Sequence, residues 1–168
     1  MNKTLLELKK LNLSRNDKKM ISEMSLCVYD FSVINIFGQN GSGKTSLLKM
    51  LVGITEPTSG EIINNIDSLQ LQSFAYVGHK YGIKKNLTLS ENLVYGDSEK
   101  MADQNKIDDV IASYEMLDFK DYLTKNLSHG QQKKVSLMRA SISNAKVWII
   151  DEPYSALDKS AIMVLDES

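Results

Sequence analysis

The residues best placed to do chemistry begin with Gly38-Gln39-Asn40-Gly41-Ser42-Gly43-Lys44-Thr45, followed by Ser46. Glycine, four residues, then Gly-Lys-Thr is the spacing of a phosphate-binding P-loop when a strand enters it and a helix leaves it. The glycines let the backbone curl so that successive N–H groups point inward and form a concave anion site. The helix that follows adds its unsatisfied N-terminal N–H groups and positive dipole end at the same point. Lys44 supplies a point charge for the β- and γ-phosphates, and the Thr45 hydroxyl is placed to hold Mg²⁺. Ser46, in the first turn of the same helix, joins the phosphate-contacting group. The stretch reads as a nucleotide site.

A second set lies near the end of the chain. Val147-Trp148-Ile149-Ile150 is an apolar strand that runs into Asp151-Glu152. Ligands of doubly wound sheets sit beyond the carboxyl ends of the strands, which places both acids toward a phosphate site. Asp151 is suited to hold Mg²⁺ through its water shell, and Glu152 to orient and polarise an attacking water. Between the two sets stands Leu127-Ser128-His129-Gly130-Gln131. Ser128 can cap a helix running to about Ser143, and that helix start offers a hydroxyl, a glycine N–H and a dipole end. Its plain reading is a capped helix; its functional reading is a further anion site.

Taken together, in this order and at this separation, Gly38–Thr45, Leu127–Gln131 and Val147–Glu152 resemble the nucleotide-binding domain of an ABC transporter. Leu-Ser-His-Gly-Gln differs from the family signature Leu-Ser-Gly-Gly-Gln at His129, and Ser155-Ala156-Leu157-Asp158 matches the loop that follows the Asp-Glu pair. A nearer likeness, to the ATP-binding subunit of the haem-exporter complex of cytochrome c maturation, rests on Gly78-His79-Lys80-Tyr81-Gly82-Ile83-Lys84, where His79 takes the position of the usual glutamine. The resemblance implies ATP and Mg²⁺ as ligands, Lys44 and Glu152 as catalytic residues, and His79 and Gln131 beside the nucleotide. It implies a head-to-tail dimer in which Ser128 and Gly130 of one copy close on the γ-phosphate held by the other. Integral-membrane subunits as partners, and a peripheral location on the cytoplasmic face of the bacterial inner membrane, follow from the same likeness. Arg15 is nearest the place where the family usually stacks an aromatic on adenine.

The positioning elements follow from pattern. Thr4–Leu13 and Ile21–Tyr29 are predicted strands around a polar turn, and Phe31–Phe37 a third strand buried in a sheet centre. Glu61–Asn64 is an edge strand and Ser73–Val77 another strand. Ser90 is a candidate cap for a helix carrying Leu93 and Val94 inward, and Ile107, Val110, Ile111, Tyr114 and Leu117 recur at helical steps. With the resemblance, these elements imply an α/β fold, that of a P-loop NTPase of ABC ATPase type with a mixed sheet. Residues 1–85 and 144–168 form the α/β core, and 86–143 an inserted helical subdomain. By the same likeness, the C-terminal strands and helices of the family are expected to be missing from these 168 residues. Both histidines, His79 and His129, precede Asp151, and sixteen residues follow Glu152. The family's switch histidine is therefore not among them, and ATP binding is expected to outlast turnover. The shortened sheet is expected to leave an unpaired edge.

Composition narrows the alternatives. A hydrophobic fraction of 42% and a charged fraction of 24% over 168 residues are those of one soluble globular domain. The formal net charge of −1 and the scattered lysine pairs at 9–10, 18–19, 84–85 and 133–134 argue against nucleic acid as a partner, and the pairs read as solvated faces. Cys27 is alone, so no internal disulfide forms and a reducing compartment is the default. No apolar run reaches the roughly 20 residues of a membrane span, and charges at Lys3, Glu7, Lys9 and Lys10 leave no signal-peptide core. Asn105-Lys106-Ile107-Asp108 imitates a guanine-reading motif, but it enters a polar helix and no Asp-x-x-Gly accompanies it. The remaining rivals are a weakly or non-hydrolysing ATP-binding module and a soluble, non-transport ABC ATPase.

Overall fold

The computed structural model describes residues 3–15, 18–66, 73–95, 104–143 and 145–166. They fall into two compact units, Met1–Ser73 and Phe74–Ser168. In the first, β1 (Thr4–Arg15) and β2 (Lys18–Tyr29) form a long antiparallel hairpin, and β3 (Ser59–Asn64) pairs with the other edge of β1, giving the order β2-β1-β3. Leu6, Leu8 and Leu11 are buried with Leu5, Leu47, Met50, Leu51 and Ile66. The register shift in β1 between Leu8 and Leu11 puts the backbone of Lys10 at φ 47 and keeps both Leu8 and Leu11 inside. The helix α1 (Lys44–Leu51) leaves the glycine-rich loop, and Gly53, at φ 72, turns the chain away as its N–H bonds the Met50 carbonyl.

Phe31–Phe37 departs from its expected strand. Among the described residues it has no strand partner, and Val33 and Phe37 are 90% and 89% exposed. A strand exists only through hydrogen bonds to a neighbour, and apolar composition alone cannot supply one.

In the second unit β4 (Phe74–Val77) and β5 (Val147–Ile150) lie parallel, with Phe74 opposite Val147 and Val77 opposite Ile150. Between them run α2 (Leu89–Tyr95), α3 (Gln104–Ser113) and α4 (His129–Ile142), and α5 (Lys159–Asp166) follows β5. Ile107, Ile111 and Tyr114 join Leu89, Leu93, Val135, Leu137 and Met138 in one fully buried cluster. Each such apolar side chain contributes about 1.5–3 kcal/mol relative to exposure. Leu117 and Val94, read as inward from their spacing, are 51% and 43% exposed.

The cap of α2 is Thr88 rather than Ser90. Thr88 Oγ1 accepts from the Glu91 N–H at 3.1 Å while the Glu91 carboxylate accepts from the Thr88 N–H at 2.7 Å, a reciprocal capping box two residues earlier than expected. The loop before it is fastened by buried Asn92, whose amide accepts from the Lys84 N–H at 2.7 Å and donates to the Lys84 carbonyl at 3.0 Å. Asn105–Asp108 lies within α3, which leaves no strand end from which it could read a base.

Candidate nucleotide site

Gly41 and Gly43 take φ values of 79 and 100, where a side chain would be strained, and they bend the loop that precedes α1. A Cβ on Gly43 would come within 3.3 Å of the Met20 side chain, so the loop also sits tightly against β2. The Lys44 ammonium lies in the mouth of the loop, donating to the carbonyls of Gly38 at 2.6 Å and Gln39 at 3.0 Å. Gly38, Gln39, Asn40, Gly41 and Ser42 are exposed, and Thr45 and Ser46 are half-buried in the first turn of α1. Arg15 is the last residue of β1, exposed, opposite Lys18 in the hairpin.

The other predicted residues lie in the second unit. Asp151 follows β5 directly, is 7% exposed, and its N–H donates to the Val77 carbonyl at 2.8 Å, which carries the β4–β5 pairing one residue further. His79 Nε2 stands 3.8 Å from Asp151 Oδ2, bringing the loop after β4 to the acid. Tyr76, partly buried beside Asp151, has its phenol pKa raised by burial and then by that carboxylate. Glu152 is exposed with its backbone at φ 51, a left-handed conformation that costs a non-glycine residue roughly 1–2 kcal/mol.

Ser128 caps α4 as its sequence position implies. Its hydroxyl accepts from the Gln131 N–H at 3.2 Å and the Gln131 side chain accepts from the Ser128 N–H at 2.8 Å. Gly130 packs against the loop after β5 so closely that a Cβ there would strike the Ala156 carbonyl. Thus Ser128, Gly130, Asp151, Glu152 and His79 gather in one unit.

Two residues of this neighbourhood depart from the solvated face expected for them. Lys133 and Lys134 are 2% and 6% exposed, which corrects the reading of that pair as a solvated face. Lys133 Nζ donates to the carbonyls of Glu152 at 2.5 Å and Ser155 at 2.7 Å and to the Ser155 hydroxyl at 3.2 Å. Burial lowers the Lys133 pKa, partly opposed by the charges of Glu152 and Asp151. Lys134 Nζ donates to the Tyr114 carbonyl at 3.1 Å and pairs with Asp158 at 2.7 Å. Asp158 in turn accepts from the Ala161 N–H at 3.0 Å at the start of α5. No signal in the sequence marked them, because the enclosure of α4 from Lys133 to Ala140 on almost every side is a property of its packing.

A family model described as "ABC transporter" matches residues 21–155. The chain belongs to the ABC transporter ATP-binding family. It is 35% identical over 164 residues to the cytochrome c biogenesis ATP-binding export protein CcmA of Tatumella citrea, covering 94% of this chain and 78% of that protein. It is 36% identical over 168 residues to the protein of that name from Yersinia pseudotuberculosis, covering 96% and 77%. Among solved structures, an ATP-binding subunit of an ABC transporter superposes with a TM-score of 0.85 at 25% identity, over 98% of this chain and 72% of that one. A putative ABC transporter ATP-binding protein from Pyrococcus furiosus gives 0.83 at 28% identity, over 96% and 82%. The fold is that of the ABC ATPases, and the chain is shorter than these relatives. Among the described residues no helix is long and apolar enough to cross a membrane.

Proposed function

We propose that this ABC ATP-binding subunit binds and hydrolyses ATP to drive a membrane partner, in the manner of the haem exporter of cytochrome c maturation. The observation that carries the reading is the second unit's gathering of a capped signature helix, the buried Asp151 and the adjacent Glu152. The haem-exporter assignment rests on relatives named for cytochrome c biogenesis at 35% and 36% identity. In this reading the chain works peripherally at the cytoplasmic face of the inner membrane, with an α/β core and an inserted helical subdomain.

Each residue then has a role. The N–H groups of Gly41 to Thr45 and the start of α1 hold the phosphates, and Lys44 exchanges its carbonyl contacts for the β- and γ-phosphates. The family likeness assigns His79, and separately Arg15, to contact with the nucleotide. Glu152 orients the attacking water and draws its proton, and the partner copy's Ser128 and Gly130 neutralise charge on the γ-phosphate. The Thr45 hydroxyl and the Asp151 carboxylate are each hard oxygen donors of the kind that suits Mg²⁺, and the ion would supply neutralisation of phosphate charge.

The test is Glu152→Gln with ATP. It should block turnover and accumulate a nucleotide-dependent dimer, while Glu152→Gln combined with Lys44→Ala stays monomeric. A Glu152→Gln protein that remains monomeric at saturating ATP would sink the head-to-tail mechanism. An unchanged hydrolysis rate would remove Glu152 as the general base.

A further inference from the structure

We infer that Lys133 is the positioning residue for Glu152, fixing the backbone of the proposed general base to the helix that carries the signature. This rests on the ATPase reading above. An ammonium has three donors, and here three acceptors meet it: the carbonyl of Glu152, the carbonyl of Ser155 and the Ser155 hydroxyl. At 2% exposure no solvent competes for those donors. The Glu152 carbonyl also accepts from the Ser155 N–H at 3.1 Å, closing a turn whose ends Lys133 holds together.

The turn needs holding. Glu152 and Ala156 both sit at positive φ, 51 and 60, without being glycine. Charge-assisted bonds to the carbonyls inside the turn favour this conformation over relaxed alternatives. Five residues upstream of Lys133 is Ser128, and three upstream is Gly130, whose missing side chain admits the Ala156 carbonyl. One rigid helix therefore carries both the signature hydroxyl and the ammonium that sets the direction of Glu152. A carboxylate displaced by an ångström no longer aligns water for in-line attack, although ATP still binds.

The experiment compares wild type with K133M, which keeps the length and burial and removes the donors, and with K133Q, which retains two donors. Steady-state hydrolysis should show kcat of K133M lowered by roughly tenfold or more, with KM for ATP moved by less than about twofold and K133Q intermediate. Amide hydrogen exchange without nucleotide should show residues 152–157 of K133M exchanging about tenfold faster, with the Val135–Ala140 amides unchanged. A kcat per folded molecule equal to wild type would overturn the assignment, as would exchange that rises evenly along α4. Should K133M not fold, K133Q carries both measurements with the same criteria. If wild type hydrolyses nothing, the ATPase reading fails and the exchange result alone decides whether Lys133 positions the turn.

Discussion

Tyr81 and His129 meet across the loop after β4 and the start of α4, with the phenol oxygen 3.0 Å from Nδ1 and the ring centroids 5.0 Å apart at 58°. His129 is the residue by which the signature departs from its common form, and Tyr81 lies two residues from His79. The same loop is held by two further bonds from α4, Ser136 Oγ to the Tyr81 carbonyl at 2.9 Å and Arg139 Nη1 to the Gly82 carbonyl at 2.6 Å. Tyr81→Phe keeps the ring and removes the hydroxyl. It should lower stability by about 0.5–1.5 kcal/mol in urea unfolding, and a larger loss would mean that the hydroxyl serves more than one partner.

Ser128→Ala removes the oxygen that accepts from the Gln131 N–H. A lost cap of this kind costs about 1 kcal/mol, and Ser128→Asn should restore most of it. Equal unfolding midpoints for all three proteins would contradict the capping box.

Gly130→Ala places a methyl group where the Ala156 carbonyl already lies. The helix and the following loop must separate to admit it, at about 1–3 kcal/mol. Thermal unfolding checks this, and a melting temperature equal to wild type would show that the loop yields freely.

Acid should weaken the link between α4 and α5. The Lys134 ammonium, then the Ala161 N–H, lowers the Asp158 pKa below its ordinary 3.8. A depressed folded pKa adds stability above the unfolded value, lost as the pH falls through the folded one. Asp158 is 57% exposed, so the contribution at neutral pH is below about 1 kcal/mol. Asp158→Asn should therefore be slightly less stable than wild type at neutral pH and equal to it once the pH is well below the ordinary carboxylate value. A difference that persists in acid would assign the effect to packing.

What could be read from the chain alone is what short range decides. The glycines were legible as a curled loop, which the structure builds with positive φ at Gly41 and Gly43, and Ser128 as a helix cap, which it completes with Gln131, because each depends on residues within one turn. The order of the motifs carried the family for the same reason, being a property of the chain and not of its packing. The tertiary structure alone decided two things. Phe31–Phe37 has the composition of a strand, but pairing is non-local and none of the described residues gives it a neighbour. Lys133 and Lys134 look like solvent-facing charges, yet α4 is enclosed on nearly all sides and offers no polar face on which to place them. An ammonium can lie there only where backbone carbonyls converge, and the turn from Glu152 to Ser155 brings them within its reach.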